Sequence, residues 1–256
     1  MNHFWHRVTA PVIEALRPRT ILQIGGQDNH ATLQLIDAAN RMGATVHVAA
    51  LARSPELEAA RRHAGDHLVL HHARGADVVP LLAAPDLLLI DDDPNRHHIL
   101  RLLSAADDQA TRLGQPFPVT VLTRTAENGR RSDVLSALED FLADRPGRFA
   151  TLTLPMFHGL TLVYPTDGKT EAALQPILSS LALGPLAAAL VSDLEAARSA
   201  LEIELQALSQ AATERAMPGF SEADGPSTAT LARALLRRIG AALVTRLRSL
   251  ATTSAP

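Results

Sequence analysis

Two short apolar runs late in the chain limit its fold more than any other feature. The runs are Phe149–Leu154 and 159–164, and only residues 155–158 (Pro-Met-Phe-His) separate them. Parallel neighbours in a sheet need a crossover connection of about a dozen residues or more, whereas antiparallel strands can be joined by a tight turn. The sequence therefore predicts an antiparallel hairpin at this point, whatever precedes it.

The segment before this hairpin alternates strand-like and helix-like patterns. Apolar runs that predict strands cover 20–25, 45–50, 67–71, 86–91 and 118–123. Amphipathic patterns that predict helices cover 8–16, 31–42, 55–63, 76–84, 95–113 and 132–143. Repetition of strand and helix at this spacing is typical of a parallel, doubly wound sheet. We therefore expect an α/β, Rossmann-like fold whose mostly parallel sheet ends in an antiparallel hairpin, followed by a C-terminal helical extension.

Composition restricts the chemistry and the partners. The chain has no cysteine, which excludes disulfides, thiolate catalysis and cysteine-based zinc sites. Its net charge of −3 predicts no nucleic-acid binding, because nucleic-acid-binding proteins usually carry a basic excess. We find neither a secretion signal nor an apolar run of about 18 residues that would suggest a membrane span. We expect a cytoplasmic protein.

The run 86–95 (Asp-Leu-Leu-Leu-Ile-Asp-Asp-Asp-Pro-Asn) carries the strongest signal for function. It is a short apolar stretch that ends in three successive carboxylates, Asp91, Asp92 and Asp93. The apolar part is typical of a strand buried on both faces, and open α/β sheets bind ligands just outside the carboxyl ends of their strands. Carboxylates at that place suit a metal ion, a general base or a substrate hydroxyl, and the sequence leaves these alternatives open.

The turn after the first predicted strand is a second candidate site. Gly25 and Gly26 allow a tight turn and a close approach of the backbone to a ligand, and the next helix offers unpaired N–H groups. Glycine also serves such turns for steric reasons alone. Asp28 or Asn29 suits the N-cap of that helix equally well.

Together these stretches resemble the class I S-adenosylmethionine-dependent methyltransferases, in particular a bacterial branch associated with surface-polysaccharide and natural-product modification. Segment 20–32 is similar to the first cofactor motif of that family, 86–95 to its acidic fourth-strand motif, and 129–164 to its closing helix and hairpin. The resemblance implies methyl transfer to a hydroxyl of a small molecule or sugar. It assigns S-adenosylmethionine binding to Gln23, Gly25, Gly26, Asp28 and Asn29, and catalysis, directly or through a divalent metal, to Asp91 and Asp93.

The departures from the family pattern all fall on functional positions. Gln23 stands in place of the acid of the first motif, and the second strand ends in 48–53 (VAALAR) without the acidic residue that usually holds a ribose. Beside Asp91, Asp92 replaces a glycine and Pro94 replaces a histidine. We therefore expect a divergent member with an eroded cofactor site. The alternative is a catalytically inactive scaffold with the same fold, because one fold hosts many functions.

The composition shifts after residue 165, where the strand signals end. We expect a methyltransferase-like domain over 1–165 and a linker with a connecting helix over 166–185. A helical extension then covers 186–256.

Two features of this extension bear on partners. Leu194, Leu201 and Leu208 recur every seven residues, which indicates a short coiled coil and a homo-oligomer, or with about equal weight a helix packed on its own domain. The segment 227–250 has the pattern of a basic amphipathic helix. Such a helix can dock on an acidic protein or lie on an anionic membrane, here the inner membrane, although packing against the preceding helix is the interpretation that we favour.

Overall fold

The structure, a computed structural model, describes residues 4–25, 29–127 and 130–182, together with the helical residues 191, 194, 198, 200–203 and 205–207. It divides the chain into two compact units, Met1–Ala196 and Ala197–Pro256. The first unit contains the sheet, and the second is helical where it is described.

The sheet confirms the predicted fold class. The strands are β1 (Thr20–Gly25), β2 (Thr45–Ala49), β3 (Leu68–His71), β4 (Leu87–Asp91), β5 (Val119–Thr123), β6 (Ala126–Glu127), β7 (Arg130–Arg131), β8 (Phe149–Leu154) and β9 (Leu160–Pro165). Seven of them form one sheet in the order β3-β2-β1-β4-β5-β9-β8. The first five run parallel, and β9 is antiparallel to both β5 and β8. The predicted closing hairpin is therefore β8–β9.

Helices connect the strands at the predicted places. They are α1 (Ala10–Leu16), α2 (Asn29–Met42), α3 (Pro55–Ala64), α4 (Gly75–Val78), α5 (Arg96–Leu113), α6 (Asp133–Ala143) and α7 (Lys169–Leu181), and a turn of π-helix, Trp5–Thr9, leads into α1. The side chains of Ser54, Asn95 and Ser132 accept hydrogen bonds from the N–H group three residues further on. These N-caps fix where α3, α5 and α6 begin, because they satisfy N–H groups that have no partner within the helix.

The two faces of the sheet carry separate cores. Helices α1, α2, α3 and α7 pack on one face, and α4, α5 and α6 pack on the other. Residues 87–90 of β4 belong alternately to the two cores and are at most 2% exposed. An all-apolar strand is required here, because both of its faces are covered.

Two local elements differ from the sequence prediction. The helix expected over 76–84 is a single α-helical turn, α4, followed by a 3₁₀ turn at Val79–Leu81. Pro80 explains the early end, since proline lacks the N–H that would continue the helix. The short ladder β6–β7, in which Ala126 pairs with Arg131 and Glu127 with Arg130, was not predicted.

The predicted division of the chain at residues 165 and 185 stays a prediction, and the first compact unit extends to Ala196. Helix α7 packs on α1 with Leu174 fully buried and Ile177 9% exposed, so it belongs to the first unit. Of the heptad residues, Leu194 is helical and 43% exposed, and Leu201 is also helical. Leu208 and the basic segment 227–250 lie outside the described residues, so the predicted coiled coil, oligomer and membrane contact stay predictions. Within the described part of the chain, no helix combines the length and the apolarity needed to cross a bilayer.

Candidate functional site

The carboxyl ends of β1 and β4 meet at Gly25 and Asp91, which are paired in the register of the two strands. Gly25 has φ +83°, and a Cβ added there would lie 2.1 Å from the main-chain oxygen of Asp91. Only glycine fits this position, because any side chain would collide with the backbone of β4. The glycine predicted to admit a cofactor thus has a packing role as well.

The three carboxylates of 91–93 diverge in the structure. Oδ1 of Asp91 accepts a hydrogen bond of 2.6 Å from Oγ1 of Thr123, a residue at the end of β5 that is 8% exposed. Asp92 turns to the other side of β4, where its Oδ2 lies 3.0 Å from Nε2 of His98 on α5. Asp93 is exposed. The side chain of Asp91 is therefore the one fixed at the edge between β4 and β5.

Sequence reasoning missed the pair of Asp92 and His98. Their side chains are 33% and 22% exposed, so the contact is partly shielded from water. A signal was present: Asn95 is the N-cap of α5 and accepts a hydrogen bond of 3.2 Å from the N–H of His98. This cap places His98 in the first turn of α5. The first turn lies next to the acidic run 91–93, which directly precedes the helix.

Gln23, the predicted cofactor ligand on β1, is 1% exposed. Its Nε2 donates a hydrogen bond of 2.8 Å to Oγ1 of Thr32, which ties β1 to the first turns of α2. Its Oε1 is buried and has no hydrogen-bond partner in the described part of the chain. A buried polar atom without a partner costs free energy, so a further hydrogen bond to this oxygen would be favourable.

The other predicted cofactor residues cannot be placed in the same way. Gly26 and Asp28 lie outside the described residues, and Asn29 begins α2 without a described side chain. The end of β2, at Ala49, carries no carboxylate. The next acidic side chain is that of Glu56 in the first turn of α3, where a backbone hydrogen bond and then one from the Ser54 hydroxyl hold its pKa below the usual value.

A histidine pair lies on the neighbouring strands. Nδ1 of His47 on β2 is 3.0 Å from Nε2 of His71 on β3, and both residues are half-buried. One ring must donate and the other accept, so the contact needs at least one neutral imidazole. Burial lowers the pKa of both rings, and the proximity of His71 lowers that of His47 further. Among the described residues, no group of three or more potential metal ligands is found.

Left-handed backbone is concentrated at the carboxyl end of β5. Arg124 has φ +58°, and Phe157 and His158 in the β8–β9 turn have φ +50° and +67°. The two segments are joined by a hydrogen bond of 2.8 Å from the N–H of Ala126 to the carbonyl of His158. Non-glycine residues seldom adopt such angles, and where they do, the surrounding structure must hold them there.

Comparison with known proteins places this geometry in context. No family model and no curated protein matches the sequence. Among solved structures, the chain is similar to a methyltransferase of Podospora anserina bound to S-adenosylhomocysteine, with 20% identity, 61% of this chain and 76% of the other covered, and a TM-score of 0.46. It is also similar to the 1,6-didemethyltoxoflavin-N1-methyltransferase of Burkholderia thailandensis, with 15% identity, coverage of 64% and 81%, and a TM-score of 0.43.

A third similar structure is the precorrin-6y C5,15-methyltransferase of Geobacter metallireducens, with 18% identity, coverage of 62% and 86%, and a TM-score of 0.42. Likeness at this level carries no argument of its own, so the assignment depends on the strand order and the antiparallel last pair. The chain has the fold of the class I methyltransferases.

Proposed function

We propose that this protein is an S-adenosylmethionine-dependent methyltransferase that acts on a hydroxyl group of a small molecule or sugar. The observation that supports it most is the meeting of Gly25 and Asp91 at the carboxyl edge of the sheet, with Asp91 fixed by Thr123. This is the place where open α/β sheets bind ligands. The glycine allows the cofactor to approach the backbone closely, and the positioned carboxylate can accept the proton of the substrate hydroxyl.

The residues at this edge fit the cofactor in part. Among the described residues the buried Oε1 of Gln23 has no partner. The left-handed Gly25 precedes residues 26–28 and the start of α2, whose N–H groups can meet the amino-acid end of the cofactor. Residues 49–53, at the end of β2, contain no carboxylate that could accept hydrogen bonds from the ribose hydroxyls. Glu56 is the next acidic residue along the chain and is therefore the candidate for this role. We therefore assign Gln23, Gly25, Gly26, Asp28 and Asn29 to the amino-acid end.

The lack of a carboxylate at the ribose position allows an estimate of how much weaker cofactor binding should be. A hydrogen bond to a charged group contributes about 1.5–3 kcal/mol, which corresponds to roughly 10- to 150-fold in a dissociation constant. Binding is therefore expected to be weaker by about that factor than in a relative that keeps the acid. This is the sense in which the site is eroded.

Asp91 is the proton acceptor in this proposal. The cofactor, when bound, supplies a methyl group on a sulfonium, and the substrate oxygen forms a bond to that methyl while the sulfur retains the electrons of the broken bond. The substrate proton passes to the Asp91 carboxylate, which Thr123 holds in one orientation. Asp93 is exposed and lies one residue beyond the Asp92–His98 pair, where it can contact the substrate from the solvent side.

Calorimetric titration with S-adenosylmethionine and S-adenosylhomocysteine tests the proposal. Saturable binding of one ligand per chain is expected for the intact protein and for Asp91→Ala, since Asp91 acts on the substrate. Replacement of Gln23 by Leu should weaken binding about tenfold or more, because it removes a hydrogen-bonding group from the cofactor end. Absence of heat at millimolar ligand, from protein shown to be folded by circular dichroism, would contradict the proposal and favour the scaffold.

A further inference from the structure

A cleft lies at the amino-terminal end of β1, whereas Gly25 and Asp91 lie at the carboxyl ends of β1 and β4. It has a volume of about 690 Å³ and is bordered by α1, by the C-terminal end of α2 and by the chain that enters β1. Ala10 and Met42, both half-buried, form an apolar part of its wall, and Trp5, which is 5% exposed, also lines it. Cavities of this volume accommodate small organic molecules.

Three arginines surround this cleft. Arg17, Arg19 and Arg41 line it, and Glu14 is the acidic residue that accompanies them. Arg41 reaches only Asp37, at 3.9 Å with both side chains largely exposed, which is a weak pair. Within the described residues, the guanidinium groups of Arg17 and Arg19 make no hydrogen bond or ion pair. Among the residues that the structure describes, the cleft therefore carries an excess of positive charge.

Arg17 occupies a position where arginine is unfavourable. It is the C-cap of α1, with φ +44° and ψ +57°, in the left-handed region that glycine adopts at the least cost. Arg17 and Arg19 also line an adjoining cavity of about 370 Å³, which contains Lys169, the only lysine of the chain. The two acidic residues of that second cavity keep their negative charge beside these cations: Asp86 accepts from the N–H groups of Arg19 and Thr20, and Asp167 from the N–H and the hydroxyl of Thr170.

We propose that this cleft binds a small anionic molecule with an apolar body, such as an aromatic carboxylate, sulfonate or phosphate ester. The guanidinium groups of Arg17 and Arg19 would hold the anionic group by charge-assisted hydrogen bonds, and the wall formed by Ala10 and Met42 would contact the ring. The site is separate from the proposed cofactor site, because it lies at the amino-terminal edge of the sheet. It does not depend on the proposed function.

Anilinonaphthalene sulfonate combines a sulfonate with an aromatic body and is the probe for this test. Saturable binding of one probe per chain is expected by fluorescence titration. The indole N–H resonance of Trp5, the sole tryptophan, should shift at the same probe concentrations in a proton–nitrogen correlation spectrum. The double variant Arg17→Gly, Arg19→Ala should bind about tenfold more weakly or worse, because it removes two charged donors.

A matched control separates this cleft from general attraction to arginine. Arg61 and Arg62 are exposed neighbours on α3 that line a different cavity, so Arg61→Ala with Arg62→Ala removes the same charge elsewhere. The control should bind the probe as tightly as the unmodified protein. Equal weakening in both double variants, an unmoved Trp5 resonance, or no saturable binding would each overturn the proposal. Arg17→Gly relieves a left-handed arginine and should not lower the thermal midpoint. Loss of binding in a double variant whose midpoint is equal to or above that of the unmodified protein therefore cannot be assigned to unfolding.

Discussion

Asp107 of α5 is a buried carboxylate whose removal should destabilise the first unit strongly. Its side chain is 7% exposed and accepts from Nε of Arg145 at 2.6 Å and from Nη2 of Arg148 at 2.8 Å. Arg145 is itself only 18% exposed and stacks on the ring of Phe141 at 4.2 Å, whereas Arg148 is 51% exposed. The two partners therefore differ, because water can replace the carboxylate at Arg148 much more easily than at Arg145.

The expected cost follows from this difference. Substitution of Asp107 by Ala leaves the charge of Arg145 buried without its counter-ion, for which about 3–5 kcal/mol is typical. Asp107→Asn keeps one acceptor oxygen and should cost about 2–3 kcal/mol. Both values are large against the total of about 5–15 kcal/mol that keeps a domain folded. Asp107→Leu combined with Arg145→Met removes both charges and should therefore cost less than Asp107→Ala alone.

Urea denaturation followed by circular dichroism measures these free energies of unfolding. Asp108 is the matched control, since it is the next residue on the same helix and is exposed. Asp108→Asn should stay within about 0.5 kcal/mol of the unmodified protein. A cost below about 1 kcal/mol for Asp107→Ala, or equal costs for the two positions, would refute the reasoning.

Three further outcomes are expected. Gly25→Ala should lower the free energy of unfolding by about 3 kcal/mol or more, because its Cβ would lie 2.1 Å from the main-chain oxygen of Asp91. Gly43→Ala should cost about 1 kcal/mol, because Gly43 has φ +70° but open space around it, and urea titration compares the two variants. Arg17→Gly should stabilise the protein by about 0.5–1 kcal/mol and raise the thermal midpoint, since it relieves the left-handed arginine. The histidine pair has lowered pKa values in the folded state, so the unfolded chain takes up protons first as the pH falls below about 6.5, and stability present above that pH is lost. His71→Gln should make the loss of stability between pH 7 and pH 5 shallower, and an unchanged slope in urea titrations at both pH values would count against this assignment.

The fold was accessible from the sequence because its strands are buried on both faces. Such strands give continuous apolar runs, and the predicted and observed bounds of all seven strands in the main sheet agree within one residue at each end. The closing hairpin followed from the short connection at 155–158. Helix α4 was predicted too long because the amphipathic pattern continues through Pro80, where the hydrogen bonding cannot.

The spacing of apolar residues in α7 indicates that this helix packs on the core, whereas amino-acid composition does not. Leu174, Ile177, Leu178 and Leu181 follow the spacing of one helical face and contact the core, although Pro176 lies among them. The boundary predicted at residue 165 is based on the change in composition there and not on this periodicity. The connecting helix was anticipated, but its place in the first unit depends on contacts with α1.

The candidate site was accessible only in outline. The sequence located the carboxylates at the end of β4, but it did not show which partner each of them contacts. Their partners lie 32 and 6 residues away, on β5 and α5. The arginine-lined cleft draws on residues from Trp5 to Gly43 that no local motif connects. Pairings of this kind are fixed by tertiary structure rather than by spacing.

Crystals grown with millimolar S-adenosylhomocysteine provide the most direct test of the central claim, that the carboxyl edge of β1 and β4 is a cofactor site. The account predicts the amino-acid end of the ligand beside Gly25 and residues 26–28, with its sulfur directed toward Asp91. A well-ordered structure in which this edge holds no ligand, or in which the ligand occupies the cleft at Arg17 and Arg19 instead, would contradict it.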